Sequence, residues 1–132
     1  FAFDMDVEND LSAAVTIQSL CREKDMVEII LHNDNGDHVI RNFLRCGKVI
    51  AVRFHGCVLA MRLGIPFLPI YYSSKTLHML DDLDYHGERF FIENFTAEEV
   101  SKALEQLTLF QVDPSVFERA RLHTKTFSGE LI

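Results

Sequence analysis

The chain has 132 residues, of which 48% are hydrophobic and 25% charged. A chain of this size buries roughly two thirds of its unfolded surface, so a disordered tail, a collagen-like fibre and a disulfide-dense mini-protein are all excluded. Thirteen Lys and Arg against 20 Asp and Glu leave a formal net charge of −7, the wrong sign for a nucleic-acid coat.

Phe1 to Met5 alternates weakly and reads as the end of a strand. Asp6 or Asn9 can cap the segment that follows. From Val7 to Lys24 the period is helical, with Ala13, Ile17, Leu20 and Cys21 on one face. Met26 to Leu31 (MVEIIL) predicts a short strand, and the polar run His32 to Asp37 a loop. A short helix comes next, with Ile40, Phe43 and Leu44 at i, i+3, i+4 spacing, ending at Cys46-Gly47. Lys48 to Val52 (KVIAV) is an apolar run of the buried, parallel-sheet kind. Cys57 to Leu63 is apolar nearly all round, apart from Arg62, which predicts a largely buried helix. Gly64 ends it, and Ile65-Pro66 opens a strand over Phe67 to Tyr71. Ser73 or Ser74 caps a helix to about Leu83, and Arg89 to Ile92 is a short strand. Thr96-Ala97-Glu98-Glu99 is a capping box; after it Val100, Ala103, Leu104 and Leu107 share a face. Asp113-Pro114 starts a last amphipathic helix.

Strand and helix alternate about five times, with no internal repeat, low-complexity segment or linker. That pattern predicts one α/β domain over residues 1–132, a three-layer Rossmann-like parallel sheet with helices on both faces. The chain starts at Phe1, inside an expected strand, as a fragment of a longer protein would. Cys21, Cys46 and Cys57 are an odd count with no C-x-x-C pair, which points to buried free thiols in a reducing, cytoplasmic compartment. No apolar run reaches the ~18 residues of a membrane span, and no signal peptide is visible.

In an open parallel sheet, ligands bind outside the carboxyl ends of the strands. The first such junction is Val52-Arg53-Phe54-His55-Gly56, with apolar segments on both sides. Ionisable residues there need a cleft or a partner. Arg53 carries a planar fork suited to carboxylate or phosphate, and His55 a proton that moves near neutral pH. Gly56 removes a side chain where a helix starts, so backbone N–H groups can approach an anion. The other reading of the same residues is structural: Arg53 pairs with a carboxylate and His55 satisfies a backbone carbonyl. The second junction is Tyr71-Tyr72-Ser73-Ser74-Lys75. If its strand neighbours the first, Lys75 lies on the same edge and can serve the same anion, or it is a solvated surface residue.

Asn33 to Asp37 lacks the frame of a calcium loop, and His78, His86 and His123 show no ligand spacing. Asp81-Asp82-Leu83-Asp84 reads as a solvated helix end. Neither a dinucleotide fingerprint nor a P-loop is present. No metal site and no resident cofactor are expected.

The run from Val49 to Phe67 resembles the carboxyl-terminal signature of the polysaccharide pyruvyl transferase family. There, a strand ends in Arg-x-His and a small residue follows, here Arg53, His55 and Gly56. An apolar helix and Gly-x-Pro come next, here Gly64-Ile65-Pro66, and then another strand. Tyr71 through Lys75 fits the continuation, and the resemblance covers residues 48–83. It implies the C-terminal half of a GT-B-like, two-domain enzyme with its N-terminal domain missing from this chain. Members transfer pyruvate from phosphoenolpyruvate to a sugar hydroxyl as a ketal, releasing phosphate, in exopolysaccharide or cell-wall glycan biosynthesis. By position, the resemblance gives Arg53, His55, Gly56 and Lys75 to phosphoenolpyruvate binding, with His55 also a catalytic candidate. It implies a glycan or lipid-linked sugar acceptor, peripheral membrane association through that acceptor, and no nucleic-acid partner.

Two rival readings stay open. A GT-B glycosyltransferase donor domain would bind a nucleotide sugar at the same edge, though no acidic residue stands clearly placed for its ribose. A non-catalytic Rossmann-like module would bind a partner, with Arg53 and His55 consumed by internal contacts.

Overall fold

The computed structural model describes residues 10–31, 35–116 and 118, and the chain divides into two units, 1–46 and 47–132. The expected strand at Phe1 to Met5, the caps Asp6 and Asn9, residues 32–34 of the polar loop, and His123 lie outside the described residues.

In the first unit, helix α1 spans Asp10–Leu20, shorter than the helical period from Val7 to Lys24. Its apolar face is not covered: no residue of α1 is buried, and Leu20 is 79% exposed. The strand expected over Met26 to Leu31 does not form. Lys24–Met26 is a 3-10 turn, and 27–30 join no strand. A short apolar run becomes a strand only where a neighbour completes its ladder. Here local partners take the backbone groups instead: Met26 N–H donates to Glu23 O, Val27 N–H to Lys24 O, and the Gln18 amide to Val27 O at 2.7 Å.

Helix α2 spans Gly36–Phe43, capped by Asn35, whose side chain accepts from His38 N–H. Its inner face is Val39, Asn42 and Phe43 rather than the expected Ile40, Phe43 and Leu44; Ile40 and Leu44 are exposed. The stripe is turned by one residue because Asn42 can be buried. Its amide nitrogen donates to His38 O at 2.9 Å, and its oxygen accepts from Arg45.

The second unit is built on a parallel sheet. Strand β1 (Val49–Ala51), helix α3 (Phe54–Leu63), strand β2 (Phe67–Tyr71), helix α4 (Ser74–Asp82), strand β3 (Phe90–Phe91) and helix α5 (Ala97–Gln106) follow in order. The strands lie side by side as β1-β2-β3, with Val49 opposite Phe67, Ala51 opposite Pro69 and Ile70 opposite Phe90. This is the Rossmann-like α/β layer expected. Among the described residues it holds three strands rather than five. Successive residues of β2 point to opposite faces, and Phe67, Leu68, Pro69 and Ile70 are all buried, so the central strand is covered on both sides. A proline in a central strand is normally excluded. β3 opposes only Ile70 and Tyr71, so no β3 residue stands opposite Pro69 to need its missing donor.

Local chemistry sets the helix ends. At α5 both halves of the capping box form: Glu99 N–H donates to the Thr96 hydroxyl, and Thr96 N–H donates to the Glu99 carboxylate. Of its expected inner face, Ala103 is buried while Val100, Leu104 and Leu107 are half-buried. Arg89 pairs with Asp81 at 2.6 Å, fastening the start of β3 to α4. The last helix begins as expected: 114–116 are helical, and Asp113 Oδ1 accepts from Ser115 N–H. No helix among the described residues is long and apolar enough to cross a membrane.

Candidate functional site

Because β1 and β2 are adjacent and parallel, both expected junctions fall at the carboxyl end of the sheet. The first is tighter than the sequence predicts. Helix α3 begins at Phe54, not Cys57, so Arg53 is the N-cap residue, with extended backbone at φ −89° and ψ 141°. Phe54, His55 and Gly56 are then the first three helical residues. No side chain caps this end, and Cys57 is the residue whose N–H reaches back to Arg53 O, at 3.2 Å. The first N–H groups of a helix have no intrahelical acceptor, and with the aligned peptide dipoles they give its end a partial positive charge.

The second junction presents Ser73 as the N-cap of α4, again without a side-chain cap bond, and Lys75 in the first turn. The two junctions interlock. Arg53 Nη1 donates to the Tyr72 hydroxyl at 3.3 Å, reaching from the end of β1 to the end of β2. In the other direction, Lys75 Nζ sits over the Phe54 ring, 4.4 Å from its centroid. His55 is exposed and meets Phe54 edge-on, with ring centroids 5.6 Å apart. Arg53 is half-buried and Lys75 exposed. Two cations and a helix N-terminus thus share one sheet edge in a chain whose net charge is −7. Positive potential is local here, which is what a compact anion needs.

Gly56 is buried, and the space left by its missing side chain faces β1: a Cβ there would stand 3.6 Å from Ala51 Cβ. Its N–H remains in the first turn of α3. Cys57 follows, fully buried, and desolvation pushes its thiol up to about 12. A thiol so held is neutral and unreactive. All three cysteines are free; only Cys57 is buried, while Cys21 and Cys46 are half-buried.

An open groove of about 610 Å³ runs beside the junctions, lined by Phe54, Ser74, Lys75, His78 and Asp82 among others. An apolar slot of about 220 Å³ adjoins it through Phe54, Met79 and Leu83. Sequence reasoning passed over Phe54, Tyr72 and His78. For His78 a signal existed: it follows Lys75 by three residues on a helix, which puts both on one face. For Phe54 and Tyr72 none did, because both read as core aromatics.

A family model described as polysaccharide pyruvyl transferase matches residues 3–74. That is more than half of the chain. The match takes in Arg53, His55, Gly56 and the Gly64-Ile65-Pro66 turn, and stops one residue short of Lys75. No curated protein and no solved structure matches the chain.

Proposed function

The chain belongs to the polysaccharide pyruvyl transferase family, and on that footing we propose that its sheet edge binds phosphoenolpyruvate as the donor in ketal formation on a sugar. The observation that carries the reading is the convergence of Arg53 and Lys75, from neighbouring parallel strands, beside the uncapped N-terminus of α3. Phosphoenolpyruvate carries a carboxylate and a phosphate a few ångströms apart. An Arg fork, a Lys ammonium and helix-terminal N–H groups match those two anions.

In the reaction, a proton goes to the methylene carbon of phosphoenolpyruvate, which leaves the central carbon electrophilic. Two hydroxyls of one sugar add to that carbon, and its bond to the phosphate oxygen breaks. One hydroxyl proton balances the new methyl group and the other leaves with phosphate. Arg53 and Lys75 hold the anion and stabilise charge as phosphate departs. His55 is exposed at the same turn, and its imidazole binds phosphate or passes a proton. In this reading the chain is the donor-binding, C-terminal half of a two-domain, GT-B-like enzyme, whose N-terminal domain completes the cleft. The enzyme works in the cytoplasm, in exopolysaccharide or cell-wall glycan synthesis. Its acceptor is a glycan or a lipid-linked sugar, which brings the enzyme to the membrane surface.

The test is calorimetry with phosphoenolpyruvate on the full-length enzyme, together with acceptor-dependent phosphate release. Wild type binds and turns over, and Arg53→Ala weakens binding by at least about tenfold, the scale of one charged hydrogen-bonding group. A thermal shift with nucleotide sugars and none with phosphoenolpyruvate would instead make this a glycosyltransferase donor domain. Arg53→Ala indistinguishable from wild type, with no ligand bound by either, would make it a partner-binding module.

A further inference from the structure

Resting on the donor-site reading above, we propose that Phe54 and Tyr72 are positioning residues that hold each other's neighbouring cation in place for the anion. The pattern is reciprocal. Arg53 and Phe54 stand at the end of β1, and Tyr72 and Lys75 at the end of β2. The cation of the first junction is held by the aromatic residue of the second, through the 3.3 Å bond from Arg53 Nη1 to Tyr72 Oη. The cation of the second junction is held by the aromatic residue of the first, through the 4.4 Å stack of Lys75 Nζ on Phe54.

Neither aromatic residue is spent on the core. Tyr72 is 45% exposed and Phe54 half-buried, and the groove and the apolar slot both open on Phe54. A lysine in the first turn of a surface helix ordinarily samples many rotamers. Over an aromatic face its ammonium is attracted by the ring quadrupole, so Lys75 waits at the sheet edge before ligand arrives. The Arg53–Tyr72 bond is long for a hydrogen bond and its acceptor is neutral. A carboxylate or phosphate oxygen is a stronger acceptor, so this bond orients the guanidinium and yields to the ligand. The arrangement also gives the middle residue of Arg53-Phe54-His55 a role of its own, because Phe54 orients a lysine 21 positions later, counting from 54 to 75.

The experiment compares full-length Phe54→Leu, Phe54→Trp and Tyr72→Phe, each with and without Lys75→Ala, by two independent readouts. In the ligand-free protein, NMR should show the Lys75 side-chain methylenes shifted by the Phe54 ring current. That shift disappears in Phe54→Leu and persists in Phe54→Trp. With phosphoenolpyruvate, calorimetry should show Kd raised about three- to tenfold in Phe54→Leu and restored in Phe54→Trp. The Phe54 effect should vanish when Lys75 is already Ala, because the ring acts through that ammonium. Tyr72→Phe removes only an exposed hydroxyl and should raise Kd about two- to fivefold with or without Lys75. If Phe54→Leu and Phe54→Trp bind alike, or if the Phe54 effect persists in Lys75→Ala, the positioning role is wrong. The same holds if Tyr72→Phe matches wild type. In each of those cases the donor site still stands, provided that Arg53→Ala abolishes binding. A ring-current shift in a protein that never binds phosphoenolpyruvate overturns the donor site instead.

Discussion

Ala51 and Gly56 stand back to back, with 3.6 Å between the Ala51 Cβ and the place a Gly56 Cβ would occupy. That is ordinary van der Waals contact, and Gly56 sits in the first turn of α3 with no positive φ. A helical glycine is about 0.5–1 kcal/mol worse than alanine. Gly56→Ala should therefore raise the melting temperature by a few degrees and leave the N–H groups of the first turn where they are. Phosphoenolpyruvate affinity should be unchanged within twofold or so. Gly56→Val adds methyls towards β1 and should lose about 1–3 kcal/mol in a urea titration. If Gly56→Ala is as damaging as Gly56→Val, the space against Ala51 is tighter than its geometry says.

Gly64 is a different kind of glycine. It ends α3 with φ 67° and ψ 39°, the left-handed conformation, and nothing would meet a Cβ there. Gly64 N–H donates to Met61 O, and Ile65 N–H to Ala60 O, which closes the helix end and sends buried Ile65 into the approach to β2. An L side chain at this position carries the left-handed strain alone. Gly64→Ala should cost about 1 kcal/mol in stability and Gly64→Val more, read from denaturant midpoints. Gly64→Asn should fall between glycine and alanine, since asparagine tolerates this region.

The α/β alternation from Lys48 onward was legible in the sequence because each element there carries its own signal. A buried strand shows as an unbroken apolar run, a helix end shows as Gly64, and a helix start shows as the Thr96–Glu99 box. The same reasoning failed at Met26 to Leu31, because a strand is a relation between two segments and one apolar run cannot report whether a neighbour exists. It misplaced the face of α2 because the polar Asn42 turns inward once His38 O and Arg45 satisfy its amide. At the site, Arg53, His55 and Lys75 stood out as charges bordering apolar runs. Phe54 and Tyr72 did not, since an aromatic side chain gives no sign in sequence of whether it will pack or hold a cation.

Two buried acids make the fold sensitive to alkali. Burial pushes the Cys57 thiol from its ordinary 9.0 up to about 12. Burial, and next the charge of Cys57, push the Tyr85 phenol from 10.0 up to about 12. Tyr85 donates its hydroxyl proton to Phe67 O at 3.1 Å, and ionisation would end that bond. Both groups keep their protons longer in the folded chain than in the unfolded one. Their contribution is therefore whole below about pH 9 and declines as pH rises to about 12. The urea midpoint should be level from about pH 7 to 9 and fall steadily above that. In Cys57→Ala the fall should begin about one unit later, where the phenol of the unfolded chain starts to ionise. Tyr85→Phe should cost about 1–2 kcal/mol at neutral pH, through the unpaired Phe67 carbonyl. A midpoint that stays level to pH 11 or so would show that neither group is buried as described.

Arg53→Lys separates charge from shape at the donor site. Lysine keeps the positive charge at the end of β1, so the long-range field at the sheet edge is nearly unchanged. It loses the planar fork, and with it two-point recognition of a carboxylate or phosphate. It is also shorter, so its reach to Tyr72 Oη, already 3.3 Å from the arginine, is lost. Phosphoenolpyruvate should bind about tenfold more weakly to Arg53→Lys, while the salt dependence of binding keeps its wild-type slope. Lys75→Gln should do the opposite. Its ammonium is exposed and acts as a point charge, so its removal should flatten the salt dependence and weaken binding most at low ionic strength. Calorimetry from roughly 20 to 300 mM salt distinguishes the two. Arg53→Lys binding as tightly as wild type would mean that charge alone recognises the anion, and then the fork and its Tyr72 contact have no part in selecting phosphoenolpyruvate.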